Sequence, residues 1–219
     1  YEMRQKALLI GSATLLLLAF AGGAFLYKAR QSDEAARAAD RNLANLVRMH
    51  SPSLGKSDAR VHIVEFFDPA CGTCKAFYPL VKKLMADNPD RIKLSLRYAP
   101  FHERSDVVVK MLEAARKQGK FWEALEAVLA SQESWAPNHK PQPQLVWNFL
   151  GGIGLNLEQA RRDVDAPEIA AIVAQDIADA RALKVTATPE YFVNGRPLPS
   201  FGWEQLKGLV DAALAQAYR

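Results

Sequence analysis

Two cysteines occur in the 219 residues, and only two positions separate them: Cys71-Gly72-Thr73-Cys74. The flanking sequence limits what this stretch can fold into. Before it, Arg60-Val61-His62-Ile63-Val64-Glu65-Phe66-Phe67 is apolar and β-rich, as a buried central strand is. After it, residues 73–87 carry Phe77, Leu80, Val81 and Leu84 on one helical face, with Pro79 predicting a kink. The cysteine motif therefore sits on a tight strand-to-helix turn. A disulfide across so short a loop staples almost no chain, because that stabilisation grows with loop length. Redox chemistry or metal binding remains.

A helix that begins inside the motif points free backbone N–H groups and a partial positive charge at Cys71. Both favour thiolate over thiol, and such motifs commonly lower a cysteine pKa below neutrality. Cys71 would then exchange through a mixed disulfide, and Cys74, one turn on and less exposed, would resolve it. No further cysteine completes a zinc set, and His50, His62, His102 and His139 show no ligand spacing with the pair, so no metal and no bound cofactor is expected. Glu65, in mid-strand, either faces solvent at a sheet edge or is buried near Cys74. A buried carboxylate has a pKa raised toward neutrality, where it can relay the Cys74 proton.

Downstream, residues 91–98 alternate as a second strand. Ser105 is placed to cap a helix bearing Val108, Met111, Leu112 and Ala115 that stops at Gly119. Further helices fit 120–131, 143–151, 157–164 and 168–183. Asn194-Gly195 after Tyr191-Phe192-Val193 signals a hairpin, and a last helix spans about 203–217. The order β-α-β, helical block, β-hairpin-α predicts an α/β sheet covered by helices. Trp122, Trp135, Trp147 and Trp203 read as core or rim residues, and His102 as a loop residue.

Upstream, Ala7–Tyr27 runs without a charge, long enough to span a bilayer as a helix. Arg4, Lys6 and Ala19-Phe20-Ala21 also give it the form of a cleavable signal, but the apolar run continues six residues past that point, which favours an anchor. Ala-rich residues 33–49 read as a helix, either a spacer or a packing element. The organisation expected is thus a membrane segment over 1–30, a helical spacer over 31–55 and a domain over 56–219. The net charge of +4 sits mostly in residues 1–30, and the near-neutral remainder offers no argument for nucleic acid.

Taken together, Val64-Glu65-Phe66-Phe67-Asp68, the Cys71–Cys74 motif, Pro79, and Thr188-Pro189 before Tyr191-Phe192-Val193-Asn194-Gly195 resemble the DsbA-like branch of the thioredoxin superfamily over about residues 52–216. The resemblance implies a thioredoxin fold with a helical insertion at about 104–183. It also implies a cis Pro189 against the redox pair, Thr188 offering its backbone to substrate, and Glu65 as the family's buried acid. The dipeptide here is Gly72-Thr73, which brings no imidazole to the Cys71 thiolate. The activity implied is disulfide exchange with cysteine-containing exported proteins. A membrane redox partner would recharge the pair, with the N-terminus in the cytoplasm and the domain outside. A reductase or isomerase, for which helix 33–49 could supply a dimer, and a non-catalytic tethered binding module are the alternatives.

Overall fold

The computed structural model describes the backbone of residues 2–219 and the side chains of residues 15–31 and 33–219. Strand β2 (Val61–Phe67) is central. β3 (Ile92–Tyr98) runs parallel on one side of it and β4 (Glu190–Val193) antiparallel on the other. The parallel pairing needs a crossover, which helix α2 (Gly72–Ala86) supplies, with Pro79 inside it. Outer strands β1 (Ser53–Leu54) and β5 (Arg196–Pro197) complete the order β1-β3-β2-β4-β5.

β1 differs from expectation. Ser53 and Leu54 pair with Ser95 and Leu94, so the sheet begins inside the stretch assigned to the spacer. A two-residue strand carries no periodicity to read. What fixes it is tertiary: the Ser53 and Ser95 hydroxyls lie 2.8 Å apart.

The insertion comprises α3 (Ser105–Lys117), α4 (Phe121–Ala130), α5 (Gln132–Trp135), α6 (Pro143–Leu150), α7 (Leu157–Asp163) and α8 (Pro167–Ala182). Trp135 is fully buried in it and donates its indole N–H to the Val128 carbonyl at 2.8 Å. Ser105 does not cap α3. It is the first helical residue, behind Arg104 in left-handed conformation, and its hydroxyl is used by His102 O and Asp68 instead. Helix α9 (Trp203–Ala217) returns to the sheet and buries Leu206, Val210 and Leu214.

Residues 33–49 are not a separate helix. α1 runs unbroken from Glu2 to Leu46, because the Ala-rich stretch after Tyr27 holds neither Gly nor Pro. Its C-terminal end packs on the domain: Ala39 and Leu46 are buried, and Asn42 donates to the Gly195 carbonyl at 3.0 Å. Gly195 has φ +82, and a Cβ there would lie 2.4 Å from Ala39 O, so the hairpin turn and the helix contact both need glycine. Among the described residues no helix is long and apolar enough to cross a membrane, and positions 7–14 of the expected span lie outside the described side chains. The large apolar residues of the described part, Leu15–Leu18, Phe20 and Phe25–Tyr27, are 63–77% exposed.

The sheet has two covered faces. Ile63, Glu65, Leu94, Leu96 and Tyr191 share the face beneath α2 and α9. Val64, Phe66, Phe192 and the fully buried Arg97 face the end of α1 and α8. There Arg97 donates to Asp176 at 2.9 Å and Asp179 at 2.5 Å, and to the carbonyls of Asn45 and Leu46 at 2.8 and 3.0 Å. Arg48 joins it on Asp179, and His50 on Asp176.

Candidate active site

Cys71 is the N-cap of α2 and Cys74 lies in its first turn, so the sequence places both sulfurs where the strand delivers the chain to the helix. Both are free thiols in this structure. The Cys74 backbone N–H donates to Cys71 Sγ at 3.4 Å. Thr188 O lies 3.2 Å from Cys71 Sγ, and the Thr188–Pro189 bond is cis. The structure therefore brings Cys71, Cys74 and the Thr188 carbonyl together, with Gly72 and Thr73 forming the helix start between the sulfurs and Pro189 following across the cis bond.

The two sulfurs are electrostatically unequal. Hydrogen bonds from the Cys74 thiol, and then from the Cys74 backbone and Thr188, outweigh burial and lower the Cys71 pKa to about 5. Cys74 is pushed well above the usual thiol range, first by burial, then by its bond to Cys71 and by the charge of Glu65. At neutral pH Cys71 is a thiolate and Cys74 a thiol.

Glu65 is buried, at 3% exposure, in the central strand, so the edge position considered from sequence is ruled out. Burial is the main cause that raises its pKa to about 8, and the nearby Tyr191 hydroxyl opposes that rise. A carboxyl poised there next to Cys74 can give or take a proton at physiological pH.

Four residues hold this loop without having been singled out for it. Asp68, fully buried, accepts from Ala70 N, His102 N and His102 Nδ1, each at 2.8 Å. Gln132 donates to Pro69 O at 2.8 Å and to Cys71 O at 3.1 Å. His139 stacks on His102, with centroids 5.3 Å apart, and its Nδ1 sits 3.3 Å from Ala70 O. A Cβ on Gly72 would meet His139 Cε1 at 3.3 Å. The helical insertion thus brings an imidazole to the motif that the dipeptide lacks. The signal available in sequence was the small residue at position 72. Local pattern did not show which distant ring used the space.

This geometry has known relatives. A family model described as thioredoxin matches residues 48–212. The chain belongs to the thioredoxin family. It is 30% identical over 174 residues to a probable disulfide bond formation protein D of Bacillus anthracis, covering 74% of this chain and 77% of that one. A thioredoxin-like oxidoreductase from Silicibacter pomeroyi is 32% identical, with TM-score 0.66 over 76% of this chain and 93% of that one. Wolbachia pipientis α-DsbA1 shares the fold at 19% identity, with TM-score 0.69 over 80% and 96% of the two chains. The chain's fold is the one shared by DsbA-like thiol-disulfide exchange proteins. A Na(+)/H(+) antiporter NhaA of Herminiimonas arsenicoxydans is also 31% identical over 163 residues, but the chain matches only 24% of that protein's length.

Proposed function

We propose that this chain is a membrane-tethered, extracytoplasmic dithiol oxidase that donates the Cys71–Cys74 disulfide to reduced cysteines of exported proteins. The observation that carries the direction is the inequality of the sulfurs. A Cys71 pKa lowered to about 5 stabilises the reduced form at neutral pH, which makes the disulfide a good oxidant. It also makes Cys71 the better leaving group when a substrate's second thiolate attacks the mixed disulfide.

The exchange runs in two steps. A substrate thiolate attacks Cys71 Sγ, the S–S bond breaks, and Cys74 leaves with the electron pair and takes the Glu65 proton. The second substrate thiolate then attacks the substrate sulfur of the mixed disulfide, and Cys71 departs as thiolate. The substrate loses two electrons and gains a disulfide. One of its protons ends on Cys74 by way of Glu65 and the other passes to solvent. Thr188 and Pro189 would hold the substrate backbone beside Cys71.

The exposed apolar band over residues 15–27 supports a single-pass tether in the cytoplasmic membrane. A redox protein of that membrane would restore the disulfide.

The reduction potential of the full chain, equilibrated in glutathione buffers, tests the direction. A value near about −120 mV supports disulfide donation, whereas one near about −270 mV would assign the chain to reductants.

A further inference from the structure

Among the described side chains, three buried polar atoms have no protein hydrogen-bond partner: Ser51 Oγ, Glu65 Oε2 and the Tyr191 hydroxyl. Two of the three belong to one pair. The β2–β4 register sets Glu65 directly opposite Tyr191, on the sheet face beneath the redox helix. On the other side of Glu65, β3 presents Leu96, which is apolar. A buried polar group left unpaired destabilises the fold. Most folds avoid this, so two such groups facing each other call for an explanation.

The other ionisable groups around Glu65 are accounted for. From α2 and its loop come Cys71, Cys74 and Tyr78, and the Glu65 charge is felt at Cys74, Tyr78 and Tyr191. On β2, His62 points to the opposite face and meets Ser95. On β3, Arg97 is likewise turned away onto Asp176 and Asp179, and the polar residues of α9 are solvent-side, with Lys207 paired to Asp211. Tyr191 is the hydroxyl that faces the carboxyl from the neighbouring strand, across from the Cys74 thiol on the helix side.

We propose that Tyr191 is a positioning residue for the Cys74 half of the exchange, its hydroxyl closing onto the Glu65 carboxylate whenever Glu65 has given its proton to Cys74. In this structure the two groups face each other without a closed hydrogen bond, close enough that the hydroxyl already opposes the rise in the Glu65 pKa. With Glu65 ionised, the hydroxyl donates to a buried charge that the apolar Leu96 on its other side cannot meet. Tyr191 thereby sets how readily the carboxylate state forms, and so how fast the proton moves. The inference rests on the Glu65 relay and not on the net direction of exchange.

The test is single-turnover release of glutathione from the Cys71 mixed disulfide of the full chain, followed against pH. Here Cys74 attacks Cys71 Sγ, glutathione leaves as thiolate, and the Glu65 carboxylate takes the Cys74 proton. The rate should rise through a limb set by Glu65. Tyr191→Phe keeps the ring and removes the donor, so the limb should move up by about one pH unit or more, a roughly tenfold loss at pH 7. In a Glu65→Gln background, Tyr191→Phe should add nothing. An unshifted limb in Tyr191→Phe, or an equal loss in the Glu65→Gln background, overturns the role of Tyr191. A limb that survives Glu65→Gln overturns the Glu65 relay itself.

Discussion

Glu65 and Arg97 are buried one register step apart on adjacent central strands, on opposite faces of one sheet. Arg97 uses its guanidinium fully, on Asp176, Asp179 and the last two carbonyls of α1. Asp176 is further bonded by His50 and by Tyr98 N, and Asp179 by Arg48 and Gln175. Glu65 has Leu96 on one side and an unpaired tyrosine hydroxyl on the other. A buried charge whose every donor is met holds the structure in one arrangement. A buried acid left short of partners stays free to change protonation state, which is what proton transfer needs.

The largest effect should come from breaking the satisfied side. Arg97→Ala strands two aspartates and is expected to lower stability by about 3–5 kcal/mol in urea unfolding. Exchange activity per folded molecule should persist, and its loss would mean the two faces are coupled.

Glu65→Gln should do the reverse. Exchange at the Cys74 step is expected to slow by about a hundredfold, while stability is kept or gained. The pH dependence of stability sharpens the contrast. Folding raises the Glu65 pKa from its usual 4.5 to about 8, so the folded chain keeps a proton that the unfolded chain sheds. This contribution is complete below pH 4.5 and is lost as pH climbs toward 8, at up to about 1.4 kcal/mol per unit. Cys71, lowered to about 5, acts oppositely in the reduced protein, adding stability as pH rises above 5. The oxidised protein lacks that thiolate, so its stability should fall over pH 5–8 while that of the reduced form stays nearly level. Glu65→Gln should flatten the oxidised profile, and a profile unchanged by that substitution would mean that Glu65 is ionised in the fold.

The smallest effect is expected at His139. It donates to the Ala70 carbonyl, not to a sulfur, so His139→Ala should cost about 1 kcal/mol of stability. The Cys71 titration, read by thiolate absorbance, should stay near 5, and a shift of more than about half a unit would assign His139 a direct role on the thiolate.

Local pattern made much of this legible. An apolar strand, a two-cysteine turn and an amphipathic helix are contiguous, and Asn194-Gly195 marks the hairpin, so both halves of the site could be placed. What stayed hidden depends on pairing between distant strands and helices. The register that opposes Tyr191 to Glu65 spans 126 positions and leaves no periodic trace. Residues 91–98 alternate as though one face met water, yet α8 and the end of α1 cover Arg97. His139 reaches Gly72 through two successive left-handed residues, Asn138 and His139, of a kind that sequence rarely announces.

The junction of α1 with the domain also bears on reach. Because Arg97 grips the carbonyls of Asn45 and Leu46, and Asn42 grips Gly195, the helix meets the domain as a mast and not as a leash. From Lys28 to Leu46 it measures roughly 28 Å. On the proposed tether, Cys71 would therefore sweep a thin shell at fixed altitude above the bilayer, meeting only those thiols that pass through that layer.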